Sequence, residues 1–227
     1  MEFSLLAAAL TGMGATWVAL RLAGHAARFD LLLGAAAVGM LAGRLASMVA
    51  AGVNPITNPL DILVIRGGVD TVTAAATTIV YLVWTVRADR NVLDAIAPAA
   101  VAGMAGWHVG CLWRDACLGA AGEVPWGWAL PGSDIVRHPV EIYAAALMAL
   151  GAVALVRLPG AAGRRAALAL SVVAGARLVT EPLRPSLGGG LGWWYAIGVI
   201  AAIMVAAVLT LGLRGRADQG LSRGGNR

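Results

Sequence analysis

The 227-residue sequence contains no lysine, and charged residues of all kinds make up only 13% of it. A soluble domain usually has about one quarter charged residues, so the low charge argues against a soluble protein. Hydrophobic residues make up 59% of the chain, and the mean hydropathy is +0.79. They fall in long runs, each close to the roughly 20 residues that cross about 30 Å of hydrocarbon. The composition therefore predicts an integral membrane protein.

Seven apolar runs approach this spanning length. They lie near residues 3–20, 31–51, 69–86, 92–113, 139–158, 166–182 and 193–213. We therefore expect an all-α integral membrane fold, a seven-transmembrane-helix bundle that forms one polytopic domain over residues 1–213. The first run has no basic segment before it, so we interpret it as a span and not as a signal peptide. The polar, glycine-rich residues 214–227 are expected to form a disordered cytoplasmic tail.

The net charge of +5 is due to arginine alone, and the arginines are sorted by membrane side. Those that follow the odd-numbered runs are Arg21, Arg28, Arg87, Arg90, Arg157, Arg164, Arg165, Arg214, Arg216, Arg223 and Arg227. Those on the opposite side are Arg66, Arg114, Arg137 and Arg184. By the positive-inside rule, we expect the N-terminus outside and the C-terminus in the cytoplasm. Arginines dispersed in this way also argue against a nucleic-acid partner.

The connections on the outward side carry most of the specific polar residues. They lie in "NPLDILVIRGGVD", "GWHVGCLWRDACLG", "RHPVEIY" and "GARLVTEPLRP". Charged residues at membrane depth usually face a protein interior or a watery cavity, and they often mark function. Arg177 and Glu181 are four residues apart on one helix face, where they can form an ion pair. Arg44, inside the second run, is expected to pair with either Glu141 or Glu181.

The stretch from Arg137 to Tyr143 marks the beginning of the fifth span. Pro139 suits the first turn of a helix, because the N–H that it lacks is not needed there. Glu141 and Tyr143 then lie in the first turns, where the helix dipole favours an acidic side chain. We expect these residues and His138 to face a cavity that opens outward. Several arginines at such a cavity would bind an anionic group, and phosphate is the obvious one at a lipid surface.

Simpler explanations stay open for the same residues. An arginine near the end of a span often just extends to the lipid headgroups. This explanation applies singly to Arg66, Arg114 and Arg137. Arg177 with Glu181 can be a purely structural ion pair, and His138 can be a helix cap without chemistry.

The two cysteines, Cys111 and Cys117, lie six residues apart. They form either an external disulfide or two free thiols, and the sequence does not decide between these states. With His108 and His138 they do not reproduce the ligand spacing of a recognised metal site. We therefore expect no metal.

Taken in order, these segments resemble the prolipoprotein diacylglyceryl transferase family. "AGRLASMV" with "NPLDILVIRGG" is similar to the family's G-R-L and H-G-G segments. "DAIAP", "GWHVGC" and "VPWGWALPG" are similar to D-x-x-A-P, G-R-I-G-(N/C)-F and P-W-x-x-x-F-P. "RHPVEIY" resembles H-P-x-Q-L-Y-E, and "RLVTEPLRP" resembles R-F-x-x-E-x-x-R. The resemblance covers about residues 43–192.

The resemblance implies a multi-pass enzyme of the bacterial inner membrane. The family moves a diacylglyceryl group from phosphatidylglycerol to the lipobox cysteine thiol of a prelipoprotein, and glycerol phosphate leaves. We expect no soluble cofactor, and we expect a monomer. The candidate catalytic residues are His108, His138, Arg66, Glu141 and Tyr143. The candidate residues for binding lipid or phosphate are Arg44, Arg66, Arg114, Arg137, Arg177, Glu181 and Arg184.

Several positions differ from the family's motifs. Arg66 stands in place of the H-G-G histidine, and His108 stands in place of the G-R-I-G arginine. Glu141 replaces the glutamine of H-P-x-Q, and Ala116 and Ala144 replace acidic residues. Arginine cannot accept a proton, whereas histidine is mostly neutral near pH 7. We therefore hypothesise exchanged roles, in which Arg66 holds the lipid phosphate and His108 is the base.

Two other functions stay open from the sequence. A diverged paralogue would keep the lipid cavity but bind an anionic lipid, or transfer a lipid group to another acceptor. A small membrane transporter would need broken helices and paired ion sites near the middle of the membrane. The charged residues of this chain gather toward one face, which argues against a path through the membrane.

Overall fold

The computed structural model describes residues 3–63, 68–113, 117–130, 132–159, 163–185 and 192–224. The α-helices in this part of the chain are α1 Phe3–Leu22, α2 Phe29–Ala50, α3 Leu60–Leu63, α4 Thr71–Thr85, α5 Arg90–Gly110, α6 Val140–Arg157, α7 Arg164–Thr180 and α8 Gly192–Gly224. Short 3-10 turns lie at Ala26–Arg28, Cys111–Trp113 and Glu181–Leu183. A small antiparallel ribbon pairs β1 Trp128–Ala129 with β2 Val136–Arg137. The predicted all-helical class is confirmed.

Apolar helices occupy the positions of all seven predicted runs. The segments that are long and apolar enough to cross a membrane are Ala26–Ala50, Arg90–Gly110, Val140–Arg157, Arg164–Leu183 and Gly192–Leu211. Leu6–Leu22 and Thr71–Thr85 are apolar but shorter. Five candidate spans among the described residues make the chain a multi-pass membrane protein. The seven-span count, the sides of the termini and the division at residue 213 stay predictions, and α8 continues as helix to Gly224.

The chain forms two compact units. The first contains Met1–Ala26 and Asp94–Arg227, and the second contains Ala27–Leu93. In the first unit, α5, α6 and α7 enclose a core of small and aliphatic residues, and α8 packs along α7. The buried core residues are Ala97, Val101, Ala105, Met148, Ala152, Leu155, Ala169 and Ala176. Alanine is frequent in this core because small side chains let neighbouring helices approach closely.

Glycines on α5 bring the backbone of α1 into direct contact with it. A Cβ added at Gly106 would lie 2.5 Å from the carbonyl oxygen of Thr11 and 2.8 Å from the Cβ of Ala15. A Cβ added at Gly110 would lie 2.7 Å from the backbone nitrogen of Ala8. Only glycine fits at such distances, so the packing of α1 fixes the last turns of α5. His108 lies in those turns.

Helix α7 begins at a cap that another helix provides. Asp94 on α5 is buried, and its carboxylate accepts hydrogen bonds from the N–H groups of Gly163 at 3.0 Å and Ala166 at 2.9 Å. The first N–H groups of a helix have no partner within the helix, and the dipole favours a negative charge there. Asp94 therefore fixes the beginning of α7 against α5.

In the second unit, α2 packs against α4, and the buried Arg44 binds the connection between them. Its Nε and Nη2 donate to the carbonyl oxygen of Asp61 at 3.1 and 2.7 Å, and its Nη1 donates to that of Gly68 at 3.1 Å. The guanidinium thus fixes two points of the connection through backbone carbonyls. That Arg44 also pairs with Glu141 or Glu181 stays a prediction.

Candidate active site

Three segments of the first unit meet where α6 begins. The N–H of Gly119 donates to the carbonyl of His138 at 2.7 Å, and the N–H of His138 donates to the carbonyl of Ala120 at 3.0 Å. The N–H of Ala120 donates to the carbonyl of Leu183 at 2.7 Å. These bonds join the loop after α5, the entry to α6 and the end of α7. Polar side chains from the three segments are thereby held close together.

Glu141, in the first turn of α6, lies at the centre of a buried cluster. It is 5% exposed. Its Oε2 contacts Nδ1 of His108, and its Oε1 accepts a hydrogen bond from Nη1 of Arg184 at 2.5 Å. Glu141 lies at a helix N-terminus and His108 in the last turn of α5, where the helix dipoles favour negative and positive charge respectively. We call His108, Glu141 and Arg184 the Glu141 cluster.

Arg184 uses only part of its guanidinium to bind Glu141. Its Nε and Nη2 atoms are buried and have no hydrogen-bond partner among the described residues. These two atoms form one edge of the guanidinium, which matches two oxygens of a single carboxylate or phosphate. A buried donor without a partner costs free energy. The unused edge is therefore suited to an anionic ligand.

His138 and Tyr143 form a second polar group at the beginning of α6. The hydroxyl of Tyr143 lies 3.4 Å from Nδ1 of His138 and accepts a hydrogen bond from Nε1 of Trp126 at 2.6 Å. A Cβ added at Gly122 would overlap the His138 ring, so glycine provides the space for it. Nothing in the spacing of Trp126 in the sequence indicates this contact.

The entry to α6 differs by one residue from the expectation. The helix begins at Val140, and Pro139 is the N-cap residue without a side-chain cap bond, whereas the first turn was expected to include Pro139. Glu141 lies in the first turn, as predicted. The cause is a competing hydrogen bond. The carbonyl of His138 accepts from the N–H of Gly119 in the loop after α5, and not from an N–H of α6 four residues later.

Arg177 and Arg137 have contacts outside the Glu141 cluster. Nη2 of Arg177 donates to the hydroxyl of Tyr195 at 3.2 Å, and its guanidinium carbon lies 5.5 Å from the centroid of that ring. This is a cation–π distance. Nη1 of Arg137 donates to the carbonyl of Gly119 at 3.3 Å. The ion pair of Arg177 with Glu181 stays a prediction, and no sequence feature indicated the contact with Tyr195.

The remaining predicted site residues are distributed as follows. Arg66 and Arg114 lie outside the described residues, so their roles stay predictions. Arg44 lies in the second unit. Among the predicted residues, His108, Glu141 and Arg184 are in direct contact in the Glu141 cluster. His138 and Tyr143 contact each other in a separate group.

Cys111 and Cys117 are joined by a disulfide with a Cα–Cα distance of 6.0 Å, which decides between the two states left open by the sequence. Cys111 comes directly after α5, three residues beyond His108. Disulfides persist in oxidising compartments and are rare in the cytosol. In the part of the chain that the structure describes, no three His, Cys, Asp or Glu side chains are grouped so that they could hold a metal ion.

Comparison with known proteins identifies one family. A family model described as prolipoprotein diacylglyceryl transferase matches residues 3–214. No curated protein matches the chain. The matched residues include the apolar part of α8 and the whole Glu141 cluster. The chain therefore belongs to the prolipoprotein diacylglyceryl transferase family, and the resemblance seen in its motifs is confirmed.

Proposed function

We propose that this chain transfers a diacylglyceryl group from phosphatidylglycerol to the lipobox cysteine thiol of a prelipoprotein. Membership of a transferase family that modifies prolipoproteins supports the reaction class. The observation that carries the proposal for this chain is the Glu141 cluster. It combines an imidazole that can accept a proton with a buried guanidinium edge that can bind a phosphate.

The reaction has two requirements. The cysteine thiol gives up its proton to a base, and the resulting sulfur attacks the diacylglyceryl carbon that is bonded to a phosphate oxygen. The new bond joins carbon to sulfur, and the bond from carbon to oxygen breaks. The electron pair of that bond stays on the phosphate oxygen, so glycerol phosphate leaves as an anion. Cations near the leaving phosphate lower the barrier because negative charge develops there.

Arg184 is the proposed phosphate ligand, through its Nε and Nη2. Its binding to Glu141 fixes the guanidinium before the lipid arrives, so less side-chain entropy is lost on binding. Arg177 is a second proposed ligand. Its contact with Tyr195 holds its side chain in a defined position. Arg66, Arg114 and Arg137 remain proposed contacts to lipid.

His108 is the proposed base. Its Nδ1 faces the Glu141 carboxylate, so in the neutral ring Nδ1 carries the hydrogen and Nε2 has the free electron pair. Nε2 is therefore the proposed acceptor of the thiol proton. His138 and Tyr143 are hydrogen-bonded to each other, and Tyr143 also accepts a hydrogen bond from Trp126; His138 and Tyr143 are proposed to line the path of the substrate.

We further propose that the N-terminus and the site lie on the outer face of a bacterial inner membrane, with seven spans. Two observations support this orientation. Arginines are concentrated at the opposite ends of the helices. The disulfide immediately after α5 is expected in an oxidising compartment, which in such a bacterium is the periplasmic side.

The proposal is tested with the purified full-length protein, phosphatidylglycerol vesicles and a lipobox peptide. Mass spectrometry should show the peptide gaining one diacylglyceryl group. A peptide with serine in place of cysteine is the matched control and should gain none. Vesicles of phosphatidylethanolamine, whose headgroup has no net charge, should give much less product. No modified peptide from any of the lipids would contradict the proposed function.

A diverged paralogue is the second candidate, and the substituted motif positions Arg66, His108 and Glu141 favour it. It would bind an anionic lipid, or transfer a lipid group to another acceptor, without modifying a lipobox. Complementation of a bacterial strain depleted of its own transferase separates the two. Failure to support growth despite normal membrane expression favours the paralogue.

A further inference from the structure

Two of the positions where this chain departs from the family motifs touch each other. His108 stands in the place of an arginine, and Glu141 stands in the place of a glutamine. They are 33 residues apart in sequence, yet Nδ1 of His108 contacts Oε2 of Glu141 in a buried site. Each of the two side chains is therefore a direct partner of the other.

The charges of the Glu141 cluster explain how its members depend on one another. In this chain, the carboxylate of Glu141 neutralises Arg184, and position 108 carries an imidazole that can be neutral. A buried carboxylate is stable only when it is paired and hydrogen-bonded. Arg184 supplies the charge, and His108 occupies the second carboxylate oxygen.

The same geometry fixes the orientation of the imidazole. The carboxylate is held at both oxygens, so it cannot rotate away from His108 without losing the bond to Arg184. A neutral imidazole that donates from Nδ1 has its electron pair on Nε2. We infer that His108 and Glu141 are one coupled unit, in which Glu141 is a positioning residue that keeps Nε2 of His108 free to accept a proton. The use of that proton in lipid transfer rests on the proposed function, whereas the orientation of the ring does not.

The first experiment measures the protonation of the two ring nitrogens of His108 by NMR, and it does not depend on enzymatic activity. The full-length protein contains three histidines, and the sample is labelled with 15N in the imidazole rings. The signals of His108 are assigned as those that disappear in His108→Asn. At neutral pH, we expect a protonated Nδ1 and an unprotonated Nε2. A ring protonated at Nε2 alone, or at both nitrogens, would overturn the inference.

The second experiment separates a base from a structural hydrogen-bond donor. The amide nitrogen of asparagine takes approximately the position of Nδ1, so His108→Asn keeps the bond to Glu141 but removes the Nε2 acceptor. We expect its thermal unfolding to stay close to that of the wild type, while kcat for peptide modification falls about 100-fold. A kcat like that of the wild type would show that His108 is only structural. If the variant does not fold, the His108 signals are assigned instead as those that remain in both His25→Asn and His138→Asn, and the NMR result still decides the orientation.

The third experiment tests whether Glu141 acts through His108. We expect Glu141→Gln to lower kcat about tenfold and to change KM for the lipid less than twofold, with partial recovery in Glu141→Asp. In the His108→Asn background, Glu141→Gln should have an effect below twofold, because residues that act as one unit are not additive. Equal effects in both backgrounds would overturn the coupling. A wild-type protein that modifies no peptide contradicts the proposed function alone, and the NMR experiment remains decisive for the inference.

Discussion

Two arginines of this chain, the buried Arg44 and the half-buried Arg184, are satisfied in opposite ways. Arg44 directs all three of its guanidinium nitrogens to groups on its own unit, including the carbonyls of Asp61 and Gly68. Arg184 binds the carboxylate of Glu141 with one nitrogen, and its Nε and Nη2 have no partner among the described residues. Burial of a cation in a membrane protein is thus not enough to indicate function. The hydrogen bonds that the cation leaves unused are the more informative feature.

The comparison predicts a large effect on activity for a conservative change at Arg184. Arg184→Lys keeps the positive charge beside Glu141 but removes the edge formed by Nε and Nη2. We expect kcat/KM for peptide modification to fall about 100-fold, as for the loss of a donor that stabilises developing charge. Thermal unfolding in detergent should change little. Full activity in Arg184→Lys would contradict the role of the unused edge.

At Arg44, by contrast, the main effect is expected on stability. Arg44→Gln removes the donors to Asp61 and Gly68, and each polar group left without a partner costs about 1–3 kcal/mol. We expect the free energy of unfolding to fall by about 3 kcal/mol, measured by denaturation in micelles. A stable variant that no longer binds phosphatidylglycerol would instead place Arg44 at the lipid site, as the sequence predicted.

Asp94 is a buried charge that resembles Arg44, because its carboxylate also binds backbone groups. Asp94→Ala leaves the N–H groups of Gly163 and Ala166 without their acceptor. We expect the free energy of unfolding to fall by about 2 kcal/mol, at the upper end for a lost helix cap. The control is Asp89→Ala, which removes an exposed cap of Asn91 and should cost about 0.5 kcal/mol. If both variants lose the same free energy of unfolding, a buried cap stabilises this protein no more than an exposed one.

The smallest effect on stability is expected at the contact between α1 and α5, where backbone packing and not a polar contact positions His108 of the Glu141 cluster. Gly106→Ala places a methyl group 2.5 Å from the carbonyl oxygen of Thr11, so α1 and α5 must move apart. We expect a loss of about 1.5 kcal/mol in stability, typical of overpacking. The control is Gly14→Ala on α1, where nothing lies within 4 Å and no loss is expected. An unchanged Gly106→Ala variant would show that the helices tolerate a wider separation.

The positions of the helices were largely predictable from the sequence, because long apolar runs mark the segments that can lie in a membrane. The run predicted at 92–113 is helix α5, Arg90–Gly110, and the run predicted at 139–158 is α6, Val140–Arg157. The boundaries shift by a few residues where loop hydrogen bonds compete with the helix, as at Pro139. Apolar runs could not reveal the cap that Asp94 provides, because that contact joins residues 69 positions apart.

The sequence pointed to the residues of the Glu141 cluster but not to their pairing. His108, Glu141 and Arg184 were all named from motifs, yet Glu141 was expected to pair with Arg44 or to face a cavity. The contacts of Trp126 with Tyr143 and of Tyr195 with Arg177 had no sequence signal. Tryptophan and tyrosine are common at membrane interfaces for general reasons, so their presence alone does not indicate a specific partner.

The sequence by itself determined the membrane class, the positions of the apolar helices and the family motifs, because each depends on local composition or on residue order. Tertiary structure alone decided that Glu141 lies between His108 and Arg184, which are 33 and 43 residues away. The physical reason is that helix packing selects the partners of a buried charge. That packing depends on small residues such as Gly106 and Gly110, where two backbones meet, and hydropathy does not record such contacts.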